Sequence, residues 1–453
     1  MTTLTAPTVP LARVLQPEVR RQYHRLVTGH GLEAVDDEGH RLLDAVAGNA
    51  CLVFGFDAPE VVEAVAEQSR RLPYVHAMQF SADPPQWLAS ELAQATPPAI
   101  RSFFFCSGGS EAVESALKIA RQYQLERGQP ARYRFIGRWQ SFHGNTIATQ
   151  SIGGHLGRRR RHLPLLIDFP HVEAPNCYRC GETDHKVCGE RYAEMLRTTI
   201  ERAGPETVAG FVLETVTGAT SAAICPPPGY LPRVRKICDE YDILMISDEV
   251  FTAIGRTGRN FAFEHWDVVP DLVVMGKAIG AGVVPIGVVG VHDRVAEAFV
   301  QGSGILEHNF TFASHPAVCA GAATAVRLIR ERGLTANAAA MGTVLLQALE
   351  PLRDLPAVGD IRGKGLLLGV EFVRNQAARE PFSPSVRFAR RVTEACYEVG
   401  LIVYPGTGTV DGIRGDHVVL APALVLREEQ AGQIAKRLAA GVTRAWAEIA
   451  AAV

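Results

Sequence analysis

The sequence contains six lysines, few enough to ask of each whether it is a reactive amine. Lys118 lies in the helical pattern Glu111 to Tyr123, and Lys236 and Lys436 lie on other polar helix faces, where an ammonium group is simply solvated. Lys186 sits in a polar, cysteine-bearing segment, and Lys364 is flanked by Gly363 and Gly365, so both read as turn residues. Lys277 differs, because it follows the apolar run Leu272-Val-Val-Met275 and precedes Ala278-Ile-Gly-Ala-Gly282. A lysine at the end of a buried strand loses solvation, which lowers its pKa and frees a nucleophilic amine. Such an amine forms Schiff bases with carbonyl compounds. Taken alone, Lys277 is better read as a strand-end lysine whose head reaches water.

Three further features change that balance. The stretch Phe103-Phe-Phe-Cys-Ser-Gly-Gly-Ser-Glu-Ala112 reads as an apolar strand, a Ser/Gly turn and a helix that opens at Glu111. A helix N-terminus behind a glycine turn offers free backbone N–H groups to an anion such as a phosphate, although Ser110 alone is also an ordinary N-cap. The run Ile243-Leu-Met-Ile-Ser-Asp-Glu-Val250 ends an apolar strand in adjacent acids. A buried carboxylate there calls for a cation, and a protonated pyridine nitrogen is one. Finally, Trp139-Gln-Ser-Phe-His-Gly144 offers Phe142 or His143 as a stacking partner for a flat ring, or else a buried loop aromatic. An amine, an acid for a ring nitrogen, a phosphate turn and a stacking ring are the requirements of pyridoxal 5'-phosphate.

The elements that must bring these residues together are also legible. From about residue 100 to 320, short apolar runs alternate with helical patterns, which predicts an α/β sheet, mainly parallel and buried on both faces. Sites in such sheets collect at strand ends. Residues 325–350 and 385–400 show helical periodicity, while Leu366 to Val373 and His417 to Leu420 look like strands of a smaller α+β layer. The expected organisation is a large domain at 71–324 and a small C-terminal domain at 325–453, joined by the N-terminal segment 1–70, which has no core of its own. The chain has 453 residues, 47% of them hydrophobic, so it can bury a large core. Its formal net charge of -2 supplies no basic field for a nucleic-acid backbone. No apolar run approaches the ~20 residues that a membrane span needs. Met1 to Gln16 lacks the apolar centre of a secretory leader, so a cytoplasmic location is expected.

With these residues in place, the sequence resembles the class III aminotransferases, pyridoxal-phosphate enzymes of fold type I. The similar segments are Ser107-Gly-Gly-Ser-Glu-Ala112, Ser141-Phe-His-Gly144, Glu214, Ser247-Asp-Glu-Val250 continuing to Gly255-Arg-Thr-Gly258, Gly276-Lys-Ala-Ile-Gly280, Thr311-Phe-Ala-Ser-His-Pro316 and Arg362-Gly-Lys-Gly365, in that order. The resemblance implies that Lys277 carries the cofactor as a Schiff base and that Asp248 pairs with its ring nitrogen. Phe142 would stack on one ring face and Val250 pack on the other, with His143 and Glu214 beside the ring. The turn Ser107, Gly108, Gly109 and Ser110 would hold the phosphate, joined by Thr311 of a neighbouring subunit. It further implies a homodimer or dimer of dimers with shared active sites, acting on small-molecule amines and oxo acids.

Departures from the family pattern fall near where substrates bind: Thr215-Val-Thr-Gly-Ala-Thr220 replaces a frequent Pro-x-Gln-Gly, and Ala421-Pro-Ala-Leu424 a frequent Pro-Pro. Arg414 stands roughly where amine transaminases of this class carry a mobile arginine for carboxylates, or is a solvated loop arginine. Epimerases, aminomutases, decarboxylases and lyases of the fold share the same lysine, acid and phosphate turn, and a non-catalytic binding protein is a further alternative that the retained Lys277 disfavours. The nine cysteines are odd in number and mostly scattered, as reduced thiols are. Cys177, Cys180, His185 and Cys188 have spacing permissive for a structural zinc, though a metal-free cysteine-bearing segment is favoured. The run Arg158 to Arg161 reads as a solvated loop or an interface.

Overall fold

The computed structural model describes residues 14–450. Most of the leader reading at Met1 to Gln16 therefore lies outside the described residues. The central sheet has eight strands, in the order Ile100–Cys106, Gly287–His292, Leu272–Met275, Leu244–Asp248, Val208–Glu214, Arg134–Trp139 and Gly153–Gly154, with His171–Val172 also on Arg134–Trp139. All pairings are parallel except the two made by Gly287–His292. The expected mainly parallel sheet is thus present, with one reversed strand near its edge. Val208–Glu214 and Leu272–Met275 are buried along their whole length, which is why both read as continuous apolar runs.

Helices cover both faces. Gly109–Glu126 turns Ala112, Val113, Ala116, Leu117 and Ala120 inward at helical spacing and packs on the strands Gly287–His292 and Leu272–Met275. His185–Ala203 and Tyr230–Glu240 pack against each other, their buried residues joining one core with Phe211, Leu213 and Met245 of the sheet.

The later part of the chain builds a second, antiparallel sheet in the order Val358–Lys364, Leu367–Phe372, Asp416–Leu420 and Tyr404–Thr407. The N-terminal strands Leu26–His30, Glu33–Asp36 and Arg41–Asp44 form a third sheet, completed by Leu401–Ile402, which pairs in parallel with Arg41–Asp44. The start of the chain therefore reaches the C-terminal part through backbone hydrogen bonds. The helical periodicity at 325–350 resolves into two helices, Pro316–Glu331 and Leu334–Leu349. They break at Gly333, whose φ of +63° a helix interior does not accommodate. The first of them runs through the position expected for a boundary at 324 and packs on Pro59–Arg71 and Asp83–Ala95. No helix among the described residues is long and apolar enough to cross a membrane.

Candidate active site

Sheet register decides which of the chemical residues meet. Asp248 and Glu214 are Cα partners at the ends of adjacent parallel strands, and Asp248 faces Val274 on its other side. Lys277 follows that strand after Gly276. Ile100–Cys106 lies antiparallel to Gly287–His292, with Cys106 opposite Gly287, so the 107–110 turn emerges at the same edge. The carboxyl ends of these strands and the N-terminus of an 18-residue helix, Gly109–Glu126, thus converge.

A cavity of about 310 Å³ opens there, its wall including Lys277, Asp248, Glu214, Phe142, Val250 and Ser110. Larger grooves of about 740 and 700 Å³ lie elsewhere, and neither is lined by Lys277, Asp248 or Glu214, so the smaller cavity is where these groups meet.

His143 donates from Nδ1 to Oδ2 of Asp248 at 2.7 Å, and both side chains are buried. The other Asp248 oxygen accepts the Val250 N–H at 3.0 Å, which fixes the carboxylate plane. The buried Nε2 of His143 has no hydrogen-bond partner among the described residues. Glu214 accepts the N–H groups of Phe142 at 3.0 Å and Gly218 at 2.8 Å, so it braces the loop that carries the aromatic ring. Burial pushes its carboxyl pKa up. The adjacent Glu249 is occupied by Thr252, Ser247 and the Ala262 N–H, which leaves Asp248 as the acid of that pair on the cavity wall.

Lys277 is half-buried, and its Nζ stands 4.7 Å from the centre of the Phe251 ring. Desolvation holds its pKa below the usual lysine range; Cys51, Asp248 and Glu214 oppose the shift, and the charge of Arg158 adds to it. The residue adopts φ +44°, left-handed and strained for a side chain of this size, and such strain collects at functional positions.

Of the expected site residues, Gly109, Ser110, Phe142, His143, Glu214, Asp248, Val250 and Lys277 come together at or against this cavity. Ser107 and Gly108 stand back from its wall; the Ser107 N–H is taken by the Glu111 carboxylate at 2.8 Å. Thr311 is exposed, its carbonyl accepting the Tyr74 hydroxyl at 3.1 Å, and it is not on the cavity wall of its own chain. Arg414 is likewise absent from the wall; its Nε is held by Asp411 at 2.6 Å on the exposed surface. Asn49, Asn145 and Tyr404 on the wall carried no earlier signal, and Arg158, read in the sequence as part of a solvated loop or interface run, stands on the wall instead. Arg158 begins a run of four arginines, and only folding separates it from its neighbours: Arg158 is half-buried, Arg159 buried, Arg160 and Arg161 exposed.

The cysteine segment splits. Cys180 Sγ lies 2.9 Å and Cys177 Sγ 3.6 Å from Cys188 Sγ, while His185 is exposed at the start of its helix. No group of three or more His, Cys, Asp or Glu among the described residues is arranged to hold a metal ion.

The wall fits pyridoxal phosphate by its donor set. The acid Asp248 and the desolvated amine Lys277 share a cavity with the N-terminus of a long helix, where Ser110 accepts the Asn145 N–H at 3.2 Å. A Cβ on Gly108 would meet nothing within 4 Å, so the turn leaves open space at the helix end. A Cβ on Gly109 would press on Val250 at 3.0 Å, so the turn and the ring wall are packed to glycine's dimensions.

Comparison with known proteins agrees. The family model for class III aminotransferases matches residues 16–442. The uncharacterized aminotransferase YodT of Bacillus subtilis is 37% identical over 416 residues, covering 92% of this chain and 94% of that protein. An (S)-enantioselective omega-transaminase from Thermomicrobium roseum superposes with a TM-score of 0.88 at 36% identity, covering 98% of this chain and 96% of the other. The omega-transaminase from Pseudomonas jessenii, solved in complex with PMP, superposes with a TM-score of 0.88 at 31% identity over 93% of each chain. Since the likeness runs over nearly the whole chain, the chain belongs to the class III aminotransferase family and is a pyridoxal-phosphate-dependent aminotransferase of fold type I.

Proposed function

We propose that this enzyme moves an amino group from a primary amine or ω-amino acid to a small oxo acid, with Lys277 as its catalytic amine. When bound, pyridoxal phosphate supplies an electron sink for the bond-breaking step. The chain does the rest. Lys277 is the amine that would hold the cofactor as a Schiff base, and its free amine would move a proton at the substrate carbon. Its lowered pKa supports this role, because a neutral amine accepts the proton. Asp248, oriented by His143 and the Val250 N–H, would keep the ring nitrogen protonated. Gly109 and Ser110 would receive the phosphate, and Phe142 and Val250 would flank the ring. The observation that carries this reading is the meeting of a desolvated Lys277 with the His143–Asp248 pair on one cavity wall.

We assign the cofactor to the large unit at 71–324, with 325–453 and the N-terminal 1–70 as the smaller one; the pairing of Arg41–Asp44 with Leu401–Ile402 supports this division. We further propose a cytoplasmic homodimer in which Thr311 completes the neighbour's phosphate site. The exposed Phe312, which packs edge-on against the exposed Tyr74 at 6.1 Å, supports an interface at this place. Light scattering should give twice the chain mass of 49.0 kDa; a monomer that is fully active excludes a shared site. For the chemistry, the purified holoenzyme should show an absorption band at the edge of the visible that shifts when an amine is added. The band should be missing from Lys277→Ala. Retention of the band and of turnover in that variant refutes the assignment of Lys277.

A further inference from the structure

Given Lys277 and Asp248 in the roles just proposed, the cavity has one cation without a task. Arg158 is the guanidinium on its wall. Its Cζ lies 4.3 Å from the centre of the Phe142 ring, and its Nη2 is 3.4 Å from the Tyr404 hydroxyl. Its head therefore meets a ring and a phenol. The acids of the same wall are otherwise engaged: Asp248 by His143 and Glu214 by two backbone N–H groups.

The backbone of Arg158 is held in place. Its N–H donates to His155 Nδ1 at 3.3 Å and its carbonyl accepts the Gln150 amide at 2.8 Å. His155 in turn reaches the Thr407 carbonyl at 3.1 Å, so the segment is moored to the strand Tyr404–Thr407 that also carries Tyr404. A fixed planar fork with two parallel N–H donors suits a carboxylate, and a partly desolvated one binds it more strongly than a mobile surface arginine. Arg414, which the sequence offered for this purpose, is exposed and bonded to Asp411.

We propose that Arg158, assisted by the Tyr404 hydroxyl, binds the carboxylate of the oxo-acid acceptor beside Phe142 and so sets the preference of this site for acidic over neutral carbonyl substrates. This extends the amino-transfer reading and depends on it. Because Arg158 also acts on Lys277 through its charge, arrival of a carboxylate at the guanidinium cancels part of that effect as the substrate docks.

The test uses the holoenzyme loaded in its pyridoxamine form, with single-turnover absorbance titrations of pyruvate, 2-oxoglutarate and the neutral carbonyl propanal. In Arg158→Gln the apparent Kd of the better oxo acid should rise at least tenfold, with the limiting rate constant within threefold of wild type. Arg158→Lys, which keeps the charge but not the fork, should fall between them. The ratio of oxo-acid to propanal efficiency should drop at least tenfold. An unchanged oxo-acid Kd overturns the proposal, as does an equal loss for propanal, which marks a structural role. A tenfold weaker hold on the cofactor also overturns it, because Arg158 then serves the phosphate. Failure of the wild-type enzyme to convert any oxo acid is a different result, and it overturns the amino-transfer reading itself.

Discussion

Gly144 ties the aromatic loop to the phosphate turn, and replacing it tests both. It adopts φ +132°, and a Cβ built there would lie 2.5 Å from Ser110 Oγ, 2.8 Å from Ser110 Cβ and 2.8 Å from Thr149 Oγ1. Gly144→Ala therefore imposes backbone strain of about 1–3 kcal/mol and overpacking of about 1–3 kcal/mol. It also disturbs the 3.2 Å hydrogen bond from the Asn145 N–H to Ser110, a further loss of about 1 kcal/mol. Unfolding entropy scales with chain length, so each kcal/mol lowers the midpoint of a chain this long by about 1 °C. The apoenzyme of Gly144→Ala should melt about 3–7 °C below wild type. Gly128 supplies the control: its φ is +70° but a Cβ there meets nothing within 4 Å, so Gly128→Ala carries strain alone and should lose only about 1–2 °C. Because the clash falls on Ser110, the Kd of Gly144→Ala for pyridoxal phosphate should rise at least tenfold, whereas that of Gly128→Ala should not. Thermal scans and fluorescence titration of the two apoenzymes measure both quantities. Equal melting losses refute the packing argument, and an unchanged cofactor Kd refutes the placement of the phosphate at this turn.

Two further outcomes follow from the buried acids. Glu214→Ala leaves the Phe142 and Gly218 N–H groups without their acceptor, a cost of about 1–3 kcal/mol each, and should lower the melting point and the cofactor affinity together; Glu214→Gln, which keeps an acceptor oxygen for one of them, should recover part of both. Glu264 is half-buried away from the cavity, and desolvation raises its pKa from 4.5 to about 7. A carboxyl with a raised folded pKa stabilises fully below the unfolded value and loses that contribution as pH climbs towards the folded one. Glu264→Gln should therefore flatten the fall in stability between pH 4.5 and about 7, by at most about 3 kcal/mol at 1.36 kcal/mol per pKa unit and by less once solvent screening is included. A denaturant series at several pH values in that window decides it, and parallel curves for the two proteins contradict the attribution.

Chemical identity was written in the sequence because each requirement of the cofactor has a local signature. An apolar run that ends in Ser247-Asp-Glu must bring its acids to a strand end, a Ser/Gly turn before a helical pattern must expose N–H groups, and a lysine after a buried run must lose solvent. Those three statements depend only on neighbours in the chain. The strands and their mainly parallel pairing followed from the same continuous apolar runs.

Tertiary structure decided what neighbours in sequence cannot. Whether Asp248 or Glu249 faces the cavity depends on which of them Thr252, Ser247 and the Ala262 N–H engage. Which arginine serves the cavity was undetermined by residue type: Arg158 sits in a run of like residues, yet the mooring of His155 to Thr407 carries it to the wall, while Arg414, the better candidate by position, folds back on Asp411. Tyr404 and Asn49 join the same wall from strands and loops hundreds of residues apart. A local motif sets what a side chain is able to do, because chemistry resides in the residue and its immediate backbone. Which side chains share one desolvated space is set by sheet register and by the docking of distant segments, and these are properties of the whole packed chain.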